Sequence, residues 1–157
     1  MRLLMAGLTM LLAASAIAAE SGYSSGSGAG YIQVESSWVR TPPPGARMLA
    51  GYATLRNNSD VDVVIVAAES ERFGMVEIHE SYRDGERVRM RRIPELLIPA
   101  GESVALEPGG LHLMLMRPES PVEDGELLAI DLLGRDVRFE ATFPVRREAP
   151  QDAVSSE

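Results

Sequence analysis

The sequence predicts an all-β domain of the sandwich or barrel kind, and three observations carry that expectation. Short apolar or β-rich runs recur along the body of the chain, turn residues separate them at intervals of about ten, and no stretch of the body keeps a 3.6-residue apolar period. The chain has 157 residues, 45 % of them hydrophobic and 24 % charged, with a formal charge of -8. That length and apolar fraction fit one compact core with modest tails.

The first candidate strand, Tyr31 to Val39, lies between a Gly/Ser-rich stretch and the turn Pro42-Pro43-Pro44-Gly45. Gly51 to Arg56 follows and stops at Asn57-Asn58; Val61 to Ala68 comes next. Met75 to Tyr82 and Arg87 to Ile93 flank Asp84-Gly85 and read as a hairpin. Ser103 to Leu106 starts after Pro99-Ala100-Gly101, and Leu111 to Met116 after Pro108-Gly109-Gly110. Leu127 to Leu133 and Val137 to Phe143 close the series, with Gly134 between them.

The ends differ in character from this body. Met1-Arg2, the apolar run Leu3 to Ala14 and the small residues Ala16-Ile17-Ala18-Ala19 have the three parts of a secretory signal peptide. The apolar run is short for a spanning helix, which needs about 20 such residues, so cleavage and export are expected, with no stable membrane insertion afterwards. Residues 1–19 are therefore read as the signal peptide, 20–30 as a flexible leader, 31–145 as the single β-domain and 146–157 as a disordered acidic tail.

Composition removes several kinds of chemistry. With no cysteine, disulfide frameworks, thiolate metal centres and cysteine nucleophiles are excluded together. The acidic balance lacks the basic stripe that would neutralise phosphates, so a nucleic-acid partner is not expected. The metal chemistry left must use His, Met or oxygen.

Asp84-Gly85 is a favoured centre for a two-residue type I′ turn, which predicts the hairpin register. Residues equidistant from that centre then oppose one another: Glu77 to Arg92, Glu80 to Arg89 and Arg83 to Glu86, all of opposite charge. The same register sets His79 opposite Met90, with Cβ atoms about 4.5–5.5 Å apart. In the later run Leu111-His112-Leu113-Met114-Leu115-Met116, alternation puts His112, Met114 and Met116 on one face. If this strand end meets the hairpin, two imidazoles and two thioethers converge. Soft, uncharged thioether sulfur with imidazole suits Cu(I), whereas Zn(II) prefers thiolate and Ca(II) or Mg(II) prefer oxygen. In an oxidising compartment, Met and His hold a soft metal without the disulfide chemistry open to thiols. Met48 and Met75 are read as packing residues, Met116 as core or rim packing, and Glu77 and Glu80 as ladder partners of arginine.

His79, Met90, His112 and Met114 reproduce the spacing His-x10-Met-x21-His-x-Met. With Trp38-Val39-Arg40, Pro43-Pro44-Gly45-Ala46, Ala50-Gly51-Tyr52, Ile98-Pro99-Ala100-Gly101 and Pro108-Gly109-Gly110-Leu111, the text resembles the periplasmic copper chaperones called PCu(A)C from about Val34 to Val145. Family members often carry another Met just after the first His; here those positions are Glu80 and Ser81. The resemblance implies a cupredoxin-like antiparallel β-sandwich or barrel in the periplasm. It implies one Cu(I) bound through His79, Met90, His112 and Met114, and no enzymatic activity. It also implies delivery to a copper-accepting protein such as the CuA subunit of cytochrome c oxidase, in a relay that can include another copper chaperone. A monomer is expected. The competing expectation is a β-sandwich interaction module without a metal.

Overall fold

The computed structural model describes residues 31–150 apart from residue 136. The expected signal peptide, the leader and the tail beyond residue 150 lie outside the described residues. Ten strands form, and no helix occurs among the described residues. They are β1 (Ile32–Arg40), β2 (Met48–Asn57), β3 (Val63–Glu69), β4 (Phe73–Asp84) and β5 (Arg87–Arg92). The series continues with β6 (Leu96–Ile98), β7 (Ser103–Leu106), β8 (Leu111–Pro118), β9 (Leu127–Gly134) and β10 (Arg138–Arg146).

The sheet runs β5-β4-β8-β2-β1-β10-β9-β3-β6, and a further β3–β4 pairing at Ala68 and Val76 closes β4 to β3 into a seven-strand barrel. All pairings are antiparallel except β1 with β10, where Val39 and Arg40 run beside Val145 and Arg146. Closure removes most strand edges, leaving β5, β6 and β7 as additions outside the ring.

Period-2 alternation explains which residues fill the barrel. Val76 and Ile78 of β4, Leu113 and Leu115 of β8 and Leu49 of β2 point inward and are buried with Ile130, Leu132 and Phe143. Their neighbours Met75, Glu77, His79, His112, Met114 and Met116 therefore face outward. Asn57 is the exception inside: its Nδ2 donates to Val61 O (2.7 Å) and Ile98 O (3.0 Å), while its Oδ1 accepts from the Ser59 N–H (3.0 Å). These bonds satisfy a fully buried amide and tie the end of β2 to the loop before β3 and to β6.

The hairpin register differs from expectation. Ser81, not His79, lies opposite Met90; His79 lies opposite Arg92, and Asp84 opposite Arg87. The two central turn residues are thus Gly85 and Glu86, with Gly85 at φ 62°. A positive φ at the first central position alone is the type II′ arrangement, which wants glycine there; Asp84 becomes the last strand residue instead of a turn residue. The ladder charges re-sort accordingly. Glu80 pairs with Arg91 (2.6 Å) and not Arg89, Arg89 pairs with Asp84 (2.7 Å), and Arg83 faces Val88 and not Glu86. Glu77 does meet Arg92 (3.1 Å), reaching diagonally across the ladder. Moving the centre by one residue shifts partners by two, so every side chain keeps its face.

Candidate metal centre

The site lies on the outer face of three neighbouring strands, β5, β4 and β8. β4 and β8 pair so that His79 directly opposes His112, with ring centroids 6.1 Å apart and planes tilted by 54°. Met114 is two residues along β8 from His112, on the same face and directly opposite Glu77. Met90, on β5, stands opposite Ser81 and therefore one step diagonally from His79, roughly 7–8 Å between backbones, within reach of a long side chain. The structure thus gathers all the residues expected at the site on one surface, with the His79–Met90 pair diagonal instead of direct.

Hydrogen bonds fix both rings. A carbonyl can only accept, so His112 Nδ1–H donates to Gly110 O (3.1 Å) and Nε2 keeps its lone pair. Gly110 O also accepts the Ser81 N–H (3.0 Å), so one carbonyl at the start of β8 holds the imidazole and the adjoining strand. His79 Nε2–H donates to Glu77 Oε2 (2.9 Å), which leaves the lone pair on Nδ1, and Glu77 Oε1 accepts from Arg92 Nε. Supporting bonds of this kind set tautomer and ring orientation in metal-ligating histidines.

Exposure grades across the site. His112 is 5 % exposed, His79 and Met114 are half-buried and Met90 is 56 % exposed. On β2 alternation places Tyr52 on this outer face beyond Ala50, where it stacks on Trp38 with centroids 4.8 Å apart. Both aromatics are buried yet stand apart from the main core cluster, so the face has a small apolar centre of its own. Among the described residues no group of three or more His, Cys, Asp or Glu is placed to share an ion. The side chains that share the face with the two imidazoles include the thioethers Met114 and Met90, and imidazole with thioether is a soft donor set.

The structure corrects the reading of two other methionines. Met48 is 62 % and Met75 41 % exposed, so neither packs in the core. Both stand on the outer face, directly opposite Met116 on either side; for Met75 the alternation Met75-Val76-Glu77-Ile78-His79 itself carries that placement. The sequence reading also assigned no role to Glu77 at the imidazole; its signal was the His-x-Glu spacing reversed, Glu77 two residues before His79 on one strand face.

A closed all-β barrel bearing these side chains on its outer wall is a domain of the PCuAC type. An apo structure of DR1885 from Deinococcus radiodurans superposes with a TM-score of 0.59 at 27 % identity, covering 92 % of this chain and 97 % of that one. The CuI form of DR1885 gives 0.57 at 29 % identity, over 77 % of this chain and 83 % of that one. The copper-bound PCuAC domain from PmoF2, at 22 % identity, shares the fold with a TM-score of 0.64 over 78 % of this chain and 96 % of its own. The chain belongs to the LpqE-like lipoprotein family, whose profile matches residues 32–145. A relative from Leifsonia xyli subsp. xyli, named as lipoprotein Lxx21020, is 29 % identical over 102 residues, or 64 % of this chain. That match spans 60 % of the relative's length, less than two thirds of it.

Proposed function

We propose that this chain is an exported Cu(I) metallochaperone that holds one copper ion through His79, Met90, His112 and Met114 and hands it to a copper enzyme. The observation that carries the reading is the direct opposition of His79 and His112, 6.1 Å apart, on a face that also presents Met114 and Met90. The copper-bound state of the similar DR1885 structure supports the metal, and the family's lipoprotein designation supports a place outside the cytoplasm, here the periplasm.

The gradient of exposure suits transfer better than storage. Copper is the cargo, and its donors are neutral, so no ligand charge holds it in place. Met90 belongs to an edge strand whose six residues are all exposed, while His112 is buried and anchored to Gly110 O. An acceptor's ligand displaces Met90 first and reaches the histidines last, a stepwise exchange in which copper is never free. The role is binding and delivery, not catalysis, and it is carried out by a monomer with no nucleic-acid partner and no stable membrane insertion after signal cleavage. The acceptor is the CuA centre of cytochrome c oxidase, alone or through a second copper chaperone.

Mixing the Cu(I)-loaded chain with the apo copper-binding domain of an oxidase subunit under reducing, anaerobic conditions tests this. Copper is expected to appear on the acceptor as the chain empties. Retention of no copper by the chain in the first place would support a metal-free interaction module instead.

A further inference from the structure

Each methionine among the described residues lies on the same outer face as the two histidines: Met90 on β5, Met75 on β4, Met114 and Met116 on β8, and Met48 on β2. Met90 and Met114 belong to the copper site proposed above. The other three form a straight row across the strands, because Met116 directly opposes Met48 on one side and Met75 on the other. Directly opposed Cβ atoms are about 4.5–5.5 Å apart, and Met has three rotatable bonds beyond its backbone, so three sulfurs in such a row can close on one small ion.

The row is not explained by packing. Met48 and Met75 are 62 % and 41 % exposed, and the inward positions beside them are filled by Leu49, Val76 and Leu115. On β10, by contrast, the outward positions are Arg138, Glu140 and Thr142, all polar. The row also stands next to the copper site. Ala50, Met114 and Glu77 form the adjoining row, two residues along each strand, and His112 with His79 the row after that. Each step is about 7 Å along the strands.

The geometry points to a second, thioether-only Cu(I) site formed by Met48, Met75 and Met116, which takes the ion first and passes it through Met114 to the two histidines. Three neutral sulfurs with no imidazole select a soft monovalent ion and bind it more weakly than the mixed site. The binding claim stands on the row alone, whereas the hand-over to His79 and His112 rests on the proposed function.

Nuclear magnetic resonance of the full chain with labelled methionine methyl groups tests it, using Cu(I) alone under anaerobic conditions and Ag(I) as a redox-inert probe. The first equivalent is expected to shift the Met90 and Met114 methyls. A second is expected to shift Met48, Met75 and Met116 together and to saturate. The triple variant Met48→Leu, Met75→Leu, Met116→Leu should keep the first equivalent and lose the second, with slower loading of the first from a dilute copper donor. The His79→Ala, His112→Ala variant should lose the mixed site and still bind one ion at the row. Methyls of the row that stay in place through several equivalents, or that move without saturating, overturn the second site. Shifts that depend on protein concentration and not on metal also overturn it, and show a contact between copies. Binding at the row with none at the histidines would leave this inference standing and remove the proposed function.

Discussion

At the scale of single residues, the site depends on which atoms keep a lone pair. Gly110 O and Glu77 Oε2 each accept a hydrogen bond from a ring N–H, of His112 and His79, and so decide which ring nitrogens keep a lone pair for the proposed copper. Replacing Glu77 by Ala removes the acceptor at His79 and is expected to weaken Cu(I) binding about 10–100-fold, the usual cost of losing a partner that orients a metal ligand. Glu77→Gln keeps an oxygen acceptor and should lose less; competition against a chelator of known affinity measures both. Met114→Leu keeps the volume and removes the sulfur, so its loss should be at least as large, with the circular dichroism of the fold unchanged. Equal affinity for Met114→Leu, Met90→Leu and the parent would remove the thioethers from the site. Asn57 is a residue of the opposite kind, wholly structural. Asn57→Ala removes the amide donor from the Ile98 carbonyl and one of two donors from the Val61 carbonyl, which keeps Ser59 Oγ, and should cost about 1–3 kcal/mol in denaturant unfolding without changing copper affinity.

At the scale of elements, the β4–β5 hairpin decides where Met90 stands. Gly85 holds φ 62° with nothing within 4 Å of where a Cβ would sit, so its requirement is conformational, not spatial. Gly85→Ala is expected to destabilise the protein by about 1–3 kcal/mol. Gly85→Asn with Glu86→Gly puts the favoured Asn-Gly pair at the same two central positions as a type I′ turn. That double variant should therefore keep the register, and copper affinity with it. A large loss of affinity there would mean that the II′ geometry itself positions Met90. The hairpin also shows what was legible in the sequence. Asp84-Gly85 announces a turn, but glycine satisfies either central position, so the pair alone leaves two registers two residues apart. The faces survive that error because strand alternation has period 2, which is why the histidines and methionines of the site could be grouped without the true partners. β6 went unread because three residues, Leu96–Ile98, between Pro94 and Pro99 are too few to show a pattern. The β1–β10 parallel pair joins residues far apart in the chain, and no local signal encodes it, whereas the β3–β4 closure pairs Ala68 with Val76 across a short connection.

At the scale of the whole molecule, the proposed copper site bridges parts of unequal stability. β4 and β8 are staves of the closed barrel, each paired on both sides and backed by Ile78, Leu113 and Leu115. β5 pairs with β4 alone and buries nothing; its Arg87, Arg89, Arg91 and Arg92 blunt an open edge against pairing with other chains. Elements with few buried contacts open at low free energy, whereas barrel strands exchange their amides only when the fold itself opens. On the proposed function, copper held between β5 and the barrel wall should therefore slow amide exchange most in Arg87–Arg92 and little in Leu111–Pro118, although the latter carries His112 and Met114. Because the ion binds the folded chain, loading also raises global stability by mass action. At free Cu(I) one hundred times its dissociation constant the gain is about 2.7 kcal/mol, read as a higher urea midpoint under anaerobic conditions. The His79→Ala, His112→Ala variant should lose most of that gain. Identical midpoints for the loaded and metal-free parent chains would show that copper does not prefer the native fold. Equal protection of β5 and β8 would show that the hairpin is already as firmly held as the barrel, and release through Met90 would then have no structural basis.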